Sequence, residues 1–245
     1  MSAARPGSLH PGRVLAVGAH PDDIEFGCGA TLARWAAAGS EVTLLILTDG
    51  SKGTWDPDAD LAALVERRRE EQWDAARALG AAHVEFLDLI DGELDEAGRA
   101  EQAALCAVIR RVRPDTLLGH DPWKHYRLHP DHRHAGDLVL AAVVAARDPH
   151  FFPDQGLPHR PDRLLLFEAE TPDHPEDATD GLDAKLAALL CHRSQWRSTM
   201  GIDGDGSDAS AELEAFEDRI RGEAGAAGAP WGLAAAEAFK RLEPL

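Results

Sequence analysis

The chain has 245 residues, of which 44% are hydrophobic and 28% are charged, and its formal net charge at pH 7 is −18. Length and composition are typical of one globular domain with a buried core, so we expect a single domain over residues 1–245. The negative charge argues against a nucleic-acid partner or an anionic membrane surface, because Lys and Arg dominate binding to both.

The sequence also bears on the cellular location of the protein and on whether it starts with a secretory signal. No apolar run approaches the roughly 18 residues of a membrane span, and residues 1–12 lack the apolar segment of a secretory signal. The three cysteines, Cys28, Cys106 and Cys191, are widely spaced, which predicts free thiols in a reducing compartment. We therefore expect a cytoplasmic protein in which residues 1–12 form a flexible extension.

The first predicted strand, Val14–Ala19, is a short aliphatic run without alternation, typical of a strand buried on both faces of a parallel sheet. It ends at His20, Asp22 and Asp23, and helical spacing follows over Ile24–Ala38. Ligands of open α/β sheets bind at the carboxyl ends of such strands. A helix N-cap explains one carboxylate, but it explains neither the histidine nor the second carboxylate. Imidazole and carboxylate together suit zinc or ferrous iron, and the second carboxylate is then free to act as a base.

Strands and helices alternate through the next part of the chain. The predicted elements are a strand at 41–48, a helix at 61–79, a strand at 84–87, a helix at 99–112, a strand at 115–119 and a helix at 131–146. This alternation predicts an α/β protein with a right-handed, doubly wound, mostly parallel sheet and helices on both faces. Asp49 follows the second strand in an Asp-Gly dipeptide that is also typical of a turn. Arg68 lies on the second helix, one turn from Glu71, as a solvated ion pair would.

A second group of polar residues follows the fourth predicted strand. Five of the twelve histidines fall within His120–His134, which is unlikely by chance. Pro130 suits the first turn of the helix that begins here. His132 is then expected to point from that turn towards His20. His134 is rotated by about 200° from it on a 3.6-residue helix and is expected at the surface.

The last third of the chain is less regular. We predict a strand at 163–168, a helix at 182–196, a loop at 202–211, helices at 212–221 and 232–242, and a flexible stretch at 222–230.

The two polar groups resemble the motifs of a known family. His20-Pro-Asp22-Asp23 follows one apolar strand and His129-Pro-Asp131-His132 follows another, as in the LmbE-like family of PIG-L type zinc deacetylases acting on N-acetylglucosaminyl compounds. The resemblance extends from about Arg13 to Leu242. It implies a Rossmann-like sheet, a Zn²⁺ cofactor with Fe²⁺ as the other option, an amino-sugar substrate and a homo-oligomer.

The resemblance also implies a role for each motif residue. The implied metal ligands are His20, Asp23 and His132. Asp22 becomes the general base, His129 stabilises or protonates the developing oxyanion, and Asp131 orients a neighbouring imidazole. Three protein ligands leave one position open for water, as in catalytic zinc sites. The expected reaction is metal-assisted hydrolysis that removes an N-acetyl group from an amino sugar or its conjugate.

Substrate contacts are expected from residues near the same sheet edge. Arg68 is the first candidate, because a planar guanidinium holds sugar hydroxyls or a carboxylate bidentately. Asp49 and the loop that carries Trp123 are expected to complete the pocket, with Trp123 or Trp55 stacked on a sugar face. His192 either approaches the site or braces the C-terminal helix.

Four other interpretations stay open. They are an amidase on a thiol-sugar conjugate, a non-catalytic metal-binding protein of the same fold, a two-histidine-one-carboxylate iron oxygenase and a dinucleotide-binding module. The oxygenase is disfavoured because this chain alternates strands with long helices. The dinucleotide module is disfavoured because the glycine pattern at Gly27-Cys-Gly29 is incomplete and follows two carboxylates that repel pyrophosphate. A free sugar, a malate or inositol conjugate, a chitooligosaccharide and an antibiotic precursor are all compatible substrates.

Overall fold

The computed structural model describes residues 9–204 and 209–245, which contain seven strands in one sheet. The strands are β1 Arg13–Gly18, β2 Glu41–Thr48, β3 His83–Leu89, β4 Thr116–His120, β5 Arg163–Phe167, β6 His174–Asp177 and β7 Ala236–Leu242. Their order across the sheet is β3-β2-β1-β4-β5-β7-β6. The pairs among β3, β2, β1, β4 and β5 are all parallel, whereas β7 is antiparallel to both β5 and β6. The predicted α/β fold with a mostly parallel sheet is confirmed.

Six α-helices are present in the same described ranges. They are α1 Asp23–Ala37, α2 Leu61–Leu79, α3 Arg99–Val112, α4 Pro130–Arg147, α5 Leu182–Cys191 and α6 Ser210–Gly228. Each of the first four helices follows the strand of the same number, as the alternating pattern predicted.

The sheet is covered on both faces, which explains why β1 is apolar throughout. Leu15 and Val17 pack in one core cluster with side chains of α3 and α4. Val14 and Ala16 pack in another with side chains of α1, α2 and α5. A strand buried on both faces has no polar face, so it reads as a continuous hydrophobic run.

The strand order places the ends of β1 and β4 at the switch point of the sheet. β1 pairs with β2 on one side and with β4 on the other, so the chain winds in opposite directions from these two strands. Ligands of such sheets bind in the crevice outside the carboxyl ends at this point. His20 follows β1 directly and His120 is the last residue of β4, so both lie at that crevice.

Near the C-terminus, one predicted helix is wrong and one strand was not predicted. Residues 236–242 form strand β7 instead of a helix, and Leu166 lies opposite Lys240 in the antiparallel pair of β5 and β7. Alanine-rich helix propensity is overridden here by pairing with an existing strand and by burial of Phe239. Strand β6 was not predicted, because its four residues are too short for a periodicity signal.

Other boundaries in this region also differ. The predicted flexible stretch 222–230 is largely helical, since α6 continues to Gly228 and buries Phe216, Ile220 and Ala224 along one side. The helix predicted to Trp196 ends at Cys191 and is followed by a 3₁₀ helix at Arg193–Gln195 and a π-helix at Trp196–Met200. Part of the loop predicted at 202–211 falls on residues 205–208, outside the described residues, and α6 already begins at Ser210.

The flexible extension predicted for residues 1–12 does not reach as far as residue 12. Leu9 N–H donates to Glu176, and Gly12 N–H donates to Asp115 at 2.6 Å. Residues 1–8 lie outside the described residues. None of the helices in the described ranges is long and apolar enough to cross a membrane.

Candidate functional site

Two segments bring the site residues together at the switch point. His20–Asp23 leads from β1 into α1, and residues 121–129 lead from β4 to α4, whose first turn carries Asp131 and His132. Pro130 opens α4 at a position where its missing N–H costs no helical hydrogen bond. Because β1 and β4 run parallel and pair directly, both segments leave the same edge of the sheet.

Asp22 has an unusual backbone conformation that determines where its side chain lies. It is the N-cap of α1 with φ 90° and ψ −25°, in the left-handed region that costs a non-glycine residue about 1–2 kcal/mol. Among the described residues, none donates a capping hydrogen bond to its side chain, so helix capping does not explain this carboxylate. The side chain instead lines a cavity, and burial raises the pKa of Asp22 to about 6 against the opposing effect of the Arg68 guanidinium.

Atoms from two histidines and the Asp23 carboxylate form a triangle. His20 Nδ1 lies 3.2 Å from Asp23 Oδ2 and 3.3 Å from His132 Nε2, while His132 Nε2 lies 3.2 Å from Asp23 Oδ1. Burial works to raise the pKa of Asp23, but electrostatic attraction and hydrogen bonding to His132 and His120 outweigh it and hold that pKa well below its usual range. The structure thus brings His20, Asp23 and His132 together from two separate loops.

The other nitrogen of His20 faces two further carboxylates. His20 Nε2 lies 3.2 Å from Asp131 Oδ2 and 3.1 Å from Asp91 Oδ1. Asp131 also accepts hydrogen bonds from the backbone N–H groups of Gly92 and Leu94, which fix its position. Burial works to lower the pKa of His20, yet its carboxylate partners raise that pKa well above the ordinary value. The two nitrogens of His20 therefore face different carboxylates, Nε2 facing Asp131 and Nδ1 facing Asp23.

His129 lies at the N-terminus of α4, above the triangle. Its ring centroid is 4.6 Å from that of His20 and 5.2 Å from that of His132. Desolvation and the charges of these two neighbours lower the pKa of His129. The His129 imidazole is therefore neutral at neutral pH, with one N–H to donate.

The triangle, Asp22 and His129 border a cavity of about 370 Å³. Its walls are formed by His20, Asp22, Asp23, Lys52, Gly53, Thr54, Trp55, Arg68, Asp91, Gly92, His129, His132, Gln195, Ser198 and Thr199. That volume is within the usual range for a small-molecule site.

His120 and Asp91 are parts of the site to which the sequence interpretation gave no role. His120 Nε2 lies 3.3 Å from Asp23 Oδ2 and accepts a hydrogen bond from Ala19 N–H, while its Nδ1 faces Glu168 Oε2 at 3.5 Å. Each residue had one feature in the sequence that could have identified it. His120 directly follows a predicted strand at the correct edge of the sheet, and Asp91 opens the polar turn after the third strand.

Among the described residues there are three overlapping groups of possible metal ligands, and within each group the donor atoms lie within 4.8 Å of one another. They are His20, His129 and His132; Asp23, His120 and His132; and His20, Asp91 and Asp131. Each group shares at least one member with the triangle, so the groups belong to one candidate metal centre.

Arg68 and His192 are both buried. Arg68 borders the cavity but is only 3% exposed, and its guanidinium donates to the carbonyl oxygens of Gly50 and Pro21 at 2.8 and 2.7 Å. Both of these hydrogen bonds therefore hold the backbone. His192 braces the interior, with Nε2 3.7 Å from Glu25 Oε2.

Asp49 and Trp123 lie outside the cavity wall, in contrast to their predicted substrate contacts. Asp49 Oδ1 accepts hydrogen bonds from the backbone N–H groups of Ser51 and Asp91, so its carboxylate holds two turns together. Trp123 is 58% exposed on the loop after β4. Trp55 is the tryptophan that borders the cavity, and it is 84% exposed.

The fold is that of an α/β protein, and the cluster of imidazoles and carboxylates beside a cavity at its switch point is a candidate catalytic metal centre. Comparison with known proteins gives the family. The sequence model of PIG-L, described as GlcNAc-PI de-N-acetylase, matches residues 15–143, more than half of the chain. The chain belongs to the PIG-L family.

Individual relatives agree with this assignment. Diacetylchitobiose deacetylase of Thermococcus kodakarensis is 38% identical over 188 residues, which cover 75% of this chain and 70% of that protein. A 1D-myo-inositol 2-acetamido-2-deoxy-alpha-D-glucopyranoside deacetylase of Streptomyces avermitilis is 37% identical over 171 residues, 60% of this chain and 58% of that protein. The solved structure of N,N'-diacetylchitobiose deacetylase from Pyrococcus horikoshii superposes with a TM-score of 0.83 at 29% identity, covering 96% of this chain and 85% of that one. The resemblance predicted from the two motifs is confirmed.

Proposed function

We propose that this protein is a metal-dependent N-deacetylase that hydrolyses the acetamido group of an N-acetylglucosamine-containing saccharide to acetate and a free amine. The observation that carries the proposal is the triangle of His20, Asp23 and His132 at the wall of a cavity, with the Asp22 carboxylate beside it. Membership of a de-N-acetylase family supports this reaction for the site.

The donor atoms fit a tetrahedral divalent ion. Ligand bonds of about 2.0–2.1 Å at tetrahedral angles place neighbouring donor atoms about 3.3 Å apart. His20 Nδ1 lies 3.3 Å from His132 Nε2 and 3.2 Å from Asp23 Oδ2, while His132 Nε2 lies 3.2 Å from the other Asp23 oxygen, Oδ1. Binding through His132 Nε2 requires the proton of that ring on Nδ1, so the hydrogen bond from Arg127 Nε to His132 Nδ1 gives way. Glu168 already pairs with Arg127 at 2.6 Å and retains the guanidinium.

The donor set of two imidazoles and one carboxylate suits zinc, and it also suits ferrous iron. We propose Zn²⁺ as the resident ion. When bound, such an ion lowers the pKa of a water molecule from about 16 to about 7 and polarises a carbonyl group.

Asp22 is proposed as the general base. Its carboxylate borders the cavity next to the triangle, and burial keeps its pKa near 6, closer to neutrality than an exposed aspartate. It takes the proton of the attacking water and carries it to the amide nitrogen, which must be protonated to leave. Arg68, 3.7 Å from Asp22 Oδ2, favours the ionised form that Asp22 must have before the first transfer and regains after the second.

His129 and Asp131 are proposed to assist the same step from α4. The N–H of neutral His129 donates to the carbonyl oxygen as negative charge develops there. Asp131 holds His20 by its Nε2 atom at 3.2 Å, which keeps Nδ1 in the triangle.

For the substrate, we propose a saccharide with an N-acetylglucosamine unit at the triangle and a further sugar towards Trp55. Relatives named for diacetylchitobiose and for an inositol glycoside of N-acetylglucosamine support the amino-sugar unit. An exposed indole at the cavity mouth offers a flat face on which a second ring can stack.

Removal of the metal is expected to reduce acetate release from N,N'-diacetylchitobiose to the background rate, because the triangle then holds no ion to act on water. Adding back Zn²⁺ or Fe²⁺ separately should restore the rate, and metal analysis of the protein as purified identifies the ion that it carries. Colorimetric detection of the free amine measures the reaction, with N-acetylglucosamine and the inositol glycoside assayed in parallel.

Two results would contradict the proposal. A protein that binds one equivalent of metal and releases acetate from none of these saccharides is a metal-binding protein of this fold. A protein that cleaves a thiol-sugar conjugate but leaves the acetamido group intact is an amidase.

Substitution of Trp55 by alanine is expected to raise KM for diacetylchitobiose about fivefold with little change in kcat, since loss of an aromatic contact costs about 1 kcal/mol. Trp123→Ala is the matched control, because Trp123 lies outside the cavity wall and should leave KM unchanged. Equal effects of the two substitutions, or an effect confined to kcat, would remove Trp55 from the proposed sugar site.

A further inference from the structure

Helix α2 holds both polar atoms of the Pro21–Asp22 peptide. Arg68 Nη2 donates to Pro21 O at 2.7 Å, and one turn later Gln72 Oε1 accepts the hydrogen bond of Asp22 N–H at 3.2 Å. This is the peptide that enters the left-handed conformation of Asp22, with φ 90°. A conformation of that kind persists where surrounding contacts impose it.

The orientation of the Gln72 amide is determined by a carboxylate. Gln72 Nε2 donates to Glu25 Oε1 at 2.6 Å, and both residues are completely buried. Glu25 Oε1 accepts this hydrogen bond, so the NH₂ group of Gln72 faces Glu25. Its carbonyl oxygen is then necessarily turned to Asp22 N–H.

The hydrogen bonds from Arg68 and Gln72 to the Pro21–Asp22 peptide, here called the clamp, determine where the side chain of Asp22 lies. At the start of a helix the usual role of an aspartate is to accept hydrogen bonds from the next backbone N–H groups. Relaxation of Asp22 to a negative φ would relieve the strain and allow that capping geometry. It would also carry the carboxylate away from the cavity, so the clamp opposes the ordinary behaviour of an N-cap aspartate.

We propose that Gln72, oriented by Glu25, is a positioning residue that holds Asp22 in its strained conformation and thereby keeps the general base at the cavity. The inference rests on the proposed deacetylase function. Gln72 lies outside the cavity wall and its side chain hydrogen-bonds to Asp22 and Glu25, whereas Arg68 borders the cavity and also pairs with Asp22. Gln72 therefore isolates the positioning effect from direct effects on substrate or charge.

The test compares four variants of the full-length, metal-loaded protein. Gln72→Met removes both polar atoms at nearly constant size, and Gln72→Asn withdraws the amide by one methylene and serves if the first variant does not fold. The swap Glu25→Gln with Gln72→Glu restores an acceptor at 72 and a donor at 25. Gln102→Met is the matched control, because Gln102 donates to a backbone carbonyl of Ala141, remote from the site.

We expect Gln72→Met and Gln72→Asn to lower kcat about ten- to hundredfold, the effect of misplacing a reacting group by roughly 1 Å. KM and metal affinity should change by less than about twofold, since Gln72 contacts neither the cavity nor the triangle. The swapped pair should recover kcat to within about threefold of wild type, and Gln102→Met should match wild type. A role confined to stability would lower the folded fraction and leave kcat per folded molecule unchanged.

Amide hydrogen exchange of ¹⁵N-labelled protein gives a readout that needs no substrate. The Asp22 N–H should exchange at least about tenfold faster in Gln72→Met than in wild type, because its hydrogen bond is lost. Wild-type kcat in either single variant, or a swapped pair as slow as Gln72→Met, would overturn the inference. If wild-type protein releases no acetate at all, the proposed function fails instead, and an unchanged Asp22 exchange rate would still refute the clamp.

Discussion

Replacement of Asp22 by asparagine is expected to lower kcat by about 10³-fold, within the range that general acid–base catalysis contributes. Asparagine preserves the size of the side chain but cannot accept the proton of the attacking water. Metal content should stay at the wild-type level, because the triangle is formed by other residues. Steady-state acetate release together with metal analysis of the same preparation measures both effects.

Asp49→Asn provides the control for this experiment. Asp49 follows β2 at the same edge of the sheet, and the asparagine oxygen can still accept the two backbone hydrogen bonds that its carboxylate accepts. We expect its kcat to stay within about threefold of wild type, as for a surface substitution without a catalytic contact. Loss of metal from Asp22→Asn would contradict the proposal that the triangle binds the metal and Asp22 transfers the proton, and it would make Asp22 a ligand.

Replacement of His132 by alanine is expected to weaken metal binding by more than about 100-fold, the upper end of the effect of removing a residue that only supports a ligand. Two donors then remain in the triangle. Turnover should be undetectable at metal concentrations that saturate wild type. Isothermal titration of the metal-free protein with Zn²⁺ gives the affinity, and the acetate assay gives the activity.

His134→Ala is the matched control, because His134 lies on the same helix and outside the cavity wall. It should bind metal and turn over substrate as wild type does. Retention of a tightly bound ion by His132→Ala would point to the group of His20, Asp91 and Asp131, which holds three donor atoms without His132. The hydrolase proposal would then need another open position on the ion.

The parts of the fold that were predicted correctly share a local signal. Strands β1, β2 and β4 are buried on both faces, so each is a short apolar run that needs no knowledge of its neighbours. Helices α2 and α3 both show apolar residues at helical spacing, and α2 also ends at a glycine, Gly80, in the left-handed region. Prediction failed at β6 and β7, where an edge pairing imposed the structure on short or helix-favouring residues.

The site residues also differ in whether a local pattern in the sequence reveals them. His20, Asp22, Asp23 and His132 were found from the sequence because each belongs to a compact polar motif next to an apolar run. His120 and Asp91 lie outside the two motifs, and only the sheet brings them to Asp23 and His20. The left-handed backbone of Asp22 depends on side chains of α2 and had no local signal in a non-glycine residue.

By itself, the amino-acid sequence determined the α/β alternation, the chemical class of the donor atoms and the two strand ends at which they lie, because these follow from local hydrophobic and polar patterns. The tertiary structure alone decided that His20 and His132, 112 residues apart, lie 3.3 Å from each other. It also decided that Trp55 borders the cavity and that Arg68 and Gln72 hold the backbone of Asp22. The physical reason is that these contacts depend on which strands are neighbours and how helices pack across them, and no local pattern in the chain encodes either.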